Sequence, residues 1–100
     1  MIPKAVFHRL VQRDMSGVMT YYTEEAPASV GDRFFRLFLE VVDKALHSPK
    51  SFHAISPVLR RANVPGFPYH FLYRETAYGI RVLVLRHDRR HPSYGLNRRK

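Results

Sequence analysis

Residues 80–86, IRVLVLR, constrain the fold more than any other stretch of the chain. Strand alternation sends Val82 and Val84 to one side and Leu83 and Leu85 to the other. A strand that is apolar on both sides belongs in the middle of a sheet, covered on both faces. The first half of the chain supplies a cover. Val30, Phe34, Leu37, Phe38, Val41, Ala45 and Leu46 recur at helical spacing, with Arg33, Arg36, Glu40, Asp43 and Lys44 between them. This predicts a helix that opens at Pro27 and stops at Ser48–Pro49. Ahead of it Met15, Val18, Met19 and Tyr22 predict a shorter helix. Asp14 is its expected N-cap, and it should end near Ala26 because Pro27 disfavours helical geometry in the residue before it. Two helices with so short a link form an antiparallel hairpin, and the wide apolar stripe of the second needs a sheet to cover.

Three further strands complete that sheet. Residues 4–11 alternate loosely after Pro3. Residues 58–64, VLRRANV, precede a Pro65–Gly66 turn. In residues 67–74, Tyr69, Phe71 and Tyr73 share one face while His70, Leu72 and Arg74 share the other. Residues 75–79 form a hairpin loop. The order is β-α-α-β-β-β, an α+β fold with a helical hairpin packed on four strands. One hundred residues without linker, repeat or low-complexity stretch read as one domain, residues 1–100, with residues 89–100 as a basic C-terminal tail. The Tyr69, Phe71 and Tyr73 stripe reads as core, as do Met15 and Met19.

Charge separates the halves. Residues 1–50 carry seven Lys/Arg against six Asp/Glu, and residues 51–100 carry ten against two, within a net charge of +9. The last fifteen residues, RHDRRHPSYGLNRRK, hold six of those cations, two histidines and a tyrosine against Asp88 alone. Such a balance favours nucleic acid, an acidic protein or another anionic partner. Within this segment Arg98, Arg99 and Lys100 read as a solvated end. The absence of cysteine excludes disulfides and thiolate metal sites and makes a reducing cytoplasm the default location. The first residues do not look like a signal peptide, and no apolar run approaches bilayer-spanning length, so no membrane association is expected. His87 and His91 stand four apart without an evident third ligand, so neither metal nor cofactor is expected. His70 reads as a hydrogen-bonded structural residue.

The helical hairpin, the LRR of Leu59–Arg61, the FPYHFLYRE of Phe67–Glu75 and the IRVLVLRHDRRHPSY of Ile80–Tyr94 resemble the RelE/ParE superfamily of bacterial type II toxins. The resemblance extends over essentially the whole chain. It implies a helical hairpin on one face of a small, twisted, mainly antiparallel sheet. It also implies a growth-arresting toxin neutralised by a cognate antitoxin, whose acidic segment orders as it wraps the toxin in a hetero-oligomer.

Superfamily members divide between inhibition of DNA gyrase and cleavage of messenger RNA in the ribosomal A site, and fold alone cannot separate the two. The RNA reading makes the chain a metal-independent endoribonuclease. It needs a base for the ribose 2′-OH, cations on the scissile phosphate and an acid for the leaving oxygen. His87, Tyr94 and Arg86 are the candidates. The binding reading uses Arg60, Arg61, Arg86, Arg89, Arg90 and His91 as a surface for antitoxin or target. Ribosome-directed relatives carry a basic cluster at the end of the second helix, whereas DKALHSPKSF offers only Lys44 and Lys50. FPYHFLYRE with HDRRHPSY looks more like the ParE-like plasmid-stabilisation toxins. Gyrase inhibition is therefore the preferred expectation and ribosome-dependent cleavage the alternative. A plain basic nucleic-acid-binding module is a third possibility.

Overall fold

In the computed structural model, which describes residues 2–98, the apolar run becomes strand β5 (Gly79–His87). On one side it pairs antiparallel with β4 (Tyr69–Thr76), and on the other it pairs parallel with β1 (Lys4–Phe7). Beyond β4 lie β3 (Arg60–Asn63) and the two-residue β2 (His53–Ala54), both antiparallel to their neighbours. The sheet order is β1-β5-β4-β3-β2. The sheet therefore has five strands rather than the expected four, and it is mixed. His53 and Ala54 are exposed and too few to show an alternating pattern, so the sequence carries no sign of the added edge strand. The parallel pair arises because the chain's first strand docks beside its last, after a long excursion through both helices.

Helix α1 (Val11–Glu25) begins earlier than expected, since the first strand stops at Phe7. His8 drives this early turn: its Nδ1 accepts the Leu10 N–H at 3.1 Å and its carbonyl accepts the Val11 N–H at 2.9 Å. Asp14 is consequently inside the first turn and caps nothing. Helix α2 (Ala28–His47) follows after Pro27 and leads through a 3₁₀ turn (Pro49–Ser51) to β2. Phe34, Phe38, Val41, Val42 and Ala45 of α2 are buried against Phe71, Tyr73, Ile80, Val82 and Leu85 of the sheet. Phe34 packs edge-on to Phe67 and Tyr69, and Phe38 edge-on to Phe71, the favoured aromatic geometry. The hydroxyl of fully buried Tyr73 donates to the Pro49 carbonyl at 2.6 Å, and burial pushes its pKa up to about 12.

Strand β5 departs from simple alternation. The pairing runs Leu72 with Val84 but Tyr73 with Val82, leaving Leu83 as an extra residue. Leu83 and Val84 therefore both face away from the helices, in a small outer cluster with Leu72. Val82 and Leu85 both face the helix side. The expected grouping of Val82 with Val84, and of Leu83 with Leu85, is corrected by this bulge. A bulge re-aims everything after it, and here it turns Arg86 to the outer face, opposite His70.

Phe34→Ala should lower the unfolding free energy by about 3–5 kcal/mol, the usual cost of removing a fully buried ring. Urea denaturation monitored by far-UV circular dichroism measures it.

Candidate functional site

Four of the sequence-predicted residues, Arg86, His87, Arg90 and Tyr94, lie around the stretch where β5 outruns β1. The parallel ladder ends with the Phe7–Val82 pair and a final bond from the His8 N–H to the Val82 carbonyl at 2.8 Å. Past that point the edge of β5 has no strand beside it. Asp14 and Arg98 fill the gap. Oδ2 of Asp14 accepts the Leu85 N–H at 3.1 Å, and Nη1 of Arg98 donates to the Leu83 carbonyl at 3.0 Å. The two side chains meet each other in a forked pair, Nη1 to Oδ2 at 2.6 Å and Nη2 to Oδ1 at 3.0 Å. Both are buried, at 3 % and 8 % side-chain exposure. The hydrogen bond to Asp14 raises the Arg98 pKa against the opposing effect of burial. Arg98 is thus anchored rather than part of a solvated end, which corrects the expectation. Arg99 and Lys100 lie outside the described residues.

Tyr94 sits above this pair. Its hydroxyl lies 3.4 Å from Asp14 Oδ1 and from Arg98 Nη2, and the Arg90 guanidinium stacks 3.9 Å from its ring centre. Gly95 (φ +83°) follows, so close to the sheet that a Cβ there would stand 2.6 Å from Val84 Cγ2. Only glycine fits both the backbone angle and the space.

On the outer face a second network ties the tail to the sheet. Arg86 is buried; its Nε donates to His70 Nε2 at 2.9 Å, and its Nη1 donates to the carbonyls of Pro92 (2.7 Å) and Tyr94 (2.9 Å). Because Nε2 of His70 accepts, its proton sits on Nδ1, which reaches Asp88 Oδ1 at 2.9 Å. Arg61 Nη2 lies 3.3 Å from the same oxygen. Burial holds the His70 pKa below its ordinary value, against the bond to Asp88, and burial together with Arg61 lowers that of Arg86. His8 is lowered too, by burial first and then by Arg98, Arg9 and Arg81.

The remaining candidates divide. Arg60 faces the helix side opposite Tyr73 and donates to the carbonyls of Phe52 (2.7 Å) and Lys50 (3.3 Å), so strand alternation separates it from Arg61. His87 is half-buried; its ring packs edge-on to Tyr69 and its Nδ1 accepts the Arg89 N–H at 3.0 Å. His91 closes a local turn with Ser93. Arg89, Arg90 and His91 are exposed. A cleft of about 250 Å³ opens between α1 and this end of β5, lined among others by Arg13, Gly17, Tyr69, His87, Arg90 and Tyr94. Asp14, His70, Asp88 and Arg98 were not singled out as site residues from sequence. One signal existed: Asp14 lies three residues after Val11 and four before Val18, on the apolar stripe of α1, where an acid needs a partner.

No family model matches the chain, and no curated protein matches it significantly. Among solved structures, one described as the chromosomal ParDE TA system from P. aeruginosa contains a chain with the same fold. The TM-score is 0.74 at 12% identity, over 86% of this chain and 96% of that one. Among the described residues no helix is long and apolar enough to cross a membrane.

Asp14→Ala should cost about 3–5 kcal/mol in urea denaturation, because it leaves Arg98 buried without a counter-charge. Glu40→Ala, which breaks the exposed Arg36–Glu40 pair, should cost under about 1 kcal/mol. Since His8 and His70 are both lowered on folding, the unfolded chain takes up protons more readily than the folded one. Their contribution to stability is complete above the ordinary histidine pKa of 6.5 and is lost as the pH falls from there through the lowered folded values. The thermal midpoint should therefore drop between pH 7.5 and 5, and less so in His70→Gln.

Proposed function

We propose that this protein is the toxin of a type II toxin–antitoxin pair and that it arrests growth by binding DNA gyrase rather than by cutting RNA. The fold shared with a chain of a ParDE system supports the toxin reading. One observation carries the choice of mechanism: the side chains that would perform phosphate chemistry are already used to build the molecule. Arg86 spends Nε and Nη1 on His70 and two tail carbonyls. Tyr94 offers its hydroxyl to Asp14, and its ring is covered by Arg90. His87 uses Nδ1 on the Arg89 amide. A general acid or base must reach the proton it transfers; Arg86 and Tyr94 are held by these contacts, and His87 keeps only its Nε2 for such a role.

What the segment presents outward is charge. Arg89, Arg90 and His91 stand exposed on a turn fixed from beneath by Arg86, with Arg61 half-buried beside Asp88. A rigid basic edge suits a protein target, and a cognate antitoxin with an acidic wrapping segment competes for the same cations. Arg60 contributes from the other face only by holding the start of β2 in place.

Added to a gyrase supercoiling reaction, the protein should stop supercoiling or trap cleaved DNA. Replacing Arg89 and Arg90 together by Gln should weaken the effect roughly tenfold, equivalent to about 1.4 kcal/mol of binding. No effect of the unaltered protein at micromolar excess contradicts the gyrase reading. Toeprinting of translating ribosomes should show no A-site cuts; cuts that vanish in His87→Ala would support the nuclease alternative instead.

A further inference from the structure

His70 stands on β4 directly opposite Arg86 of β5, and its side chain is 2 % exposed. Its Nδ1 proton already points to Asp88 at 2.9 Å, so Nε2 is the ring atom left to take up another. That same Nε2 accepts the Nε–H of Arg86 at 2.9 Å. An imidazolium has donors on both nitrogens and no acceptor, and an arginine stays charged throughout the histidine range. A second proton on His70 therefore sets N–H against N–H and cation against cation. Among the described residues, the charged groups facing the ring are Arg86 from β5, Arg61 from β3 and Asp88 from the tail, while the helices cover the opposite face of the sheet. Of these, Asp88 alone favours the charged ring, and Arg61 reaches the same Asp88 oxygen at 3.3 Å.

Arg86 is also what holds the tail down. Its Nη1 donates to the Pro92 and Tyr94 carbonyls, at 2.7 and 2.9 Å. The chain has separate anchors on either side of them. Before, the Asp88 N–H donates to the Pro68 carbonyl at 2.8 Å; after, Gly95 lies against Val84 and Arg98 is forked onto Asp14. Between these points the tail keeps mainly its own turns, with the Tyr94 N–H on the His91 carbonyl and the Leu96 N–H on the Ser93 carbonyl.

We propose that His70 is a proton-operated latch on the tail. Uncharged, it keeps Arg86 on the carbonyls of Pro92 and Tyr94; on taking a proton at Nε2 it lets them go, freeing residues 89–94 as an arch still pinned at Asp88 and Arg98. The latch opens in acid. Burial first, then Arg61 and Arg86, hold the ring below its ordinary pKa of 6.5 against the bond to Asp88, so opening falls below that value. Arg89, Arg90 and His91 ride on the arch, and the latch decides whether these exposed cations stand on a fixed turn or a mobile one. Coupling of this kind is reciprocal: a partner that draws the arch off the sheet makes His70 easier to protonate and binds more tightly as the pH falls. The latch rests on the Arg86 network and not on the gyrase reading.

Two more histidines border the arch, His87 accepting the Arg89 N–H and His91 the Ser93 N–H, both at Nδ1. The test must separate them from His70. In the intact ¹⁵N-labelled protein, imidazole NMR follows His70 Nε2 from pH 7.5 to 4.5, and amide exchange of Tyr94 and Leu96, divided by the intrinsic rates, follows the arch. Nε2 should be unprotonated at pH 7.5 and titrate below 6.5. Protection of both amides should fall with it, by at most about tenfold per pH unit, the limit for one proton, while Phe71 on β4 stays protected. His70→Gln, whose side-chain oxygen accepts from Arg86 without titrating, should keep both amides protected across the range. His87→Asn with His91→Asn, which preserves an acceptor at each Nδ1 position, should leave the pH dependence in place. Asp88→Asn should move it to lower pH by removing the acid that favours the charged ring. The proposal is overturned if Tyr94 and Leu96 exchange independently of pH. It is equally overturned if their loss of protection persists in His70→Gln and disappears in the double asparagine variant.

Discussion

The structure depends on how it ends the ladder on one side of its central strand. β5 has nine residues and its parallel neighbour β1 has four, so the far half of β5 loses its partner on that side while still buried. Backbone groups in that position must be paired with something. The chain pairs them with two side chains from opposite ends of the sequence, the Asp14 carboxylate on the Leu85 N–H and the Arg98 guanidinium on the Leu83 carbonyl. Burying two charges costs desolvation, and such a pair is tolerable only with good geometry and every remaining donor and acceptor met. Here the fork between Asp14 and Arg98, the two backbone bonds and the Tyr94 hydroxyl provide that. The start of α1, the edge of the sheet and the tail become one unit.

From this follows the character of the basic segment. Histidine, tyrosine and arginine close to the end of a strand resemble the parts of a phosphate-handling site. In place, Arg86 holds the tail carbonyls, His70 orients Arg86, Asp88 orients His70, and Tyr94 covers the buried pair. The bulge at Leu83 makes this possible, since without it Arg86 would face the helices. What the frame displays outward is the exposed charge of Arg89, Arg90 and His91.

Much of the fold was legible because apolar periodicity reports burial. The stripe from Val30 to Leu46 located α2, and the two-sided apolar run located the central strand. Less legible was anything decided by long-range pairing. The parallel docking of β1 depends on a neighbour some seventy-five positions away in sequence, from Lys4 to Gly79. His53 and Ala54 become a strand only because Arg61 and Arg60 lie beside them. A single inserted residue inside an unbroken apolar run leaves no mark on composition, so the bulge stayed hidden and with it the direction of Arg86. Arg98 was misread because a basic residue near a terminus usually is solvated. Its partner, Asp14, looked like an N-cap although its spacing from Val11 and Val18 places it on the buried stripe.

The claim that side chains finish the β5 ladder and anchor the tail can be tested at one amide. Native-state hydrogen exchange of Leu85 should show strong protection in the unaltered protein. In Asp14→Ala it should lose that protection, together with the amides of residues 94–98, while the amide of Phe71 on β4 stays protected. If Leu85 and the tail exchange at the same rates with and without the Asp14 carboxylate, the pair does not hold the edge, and the account of the tail as part of the frame is wrong.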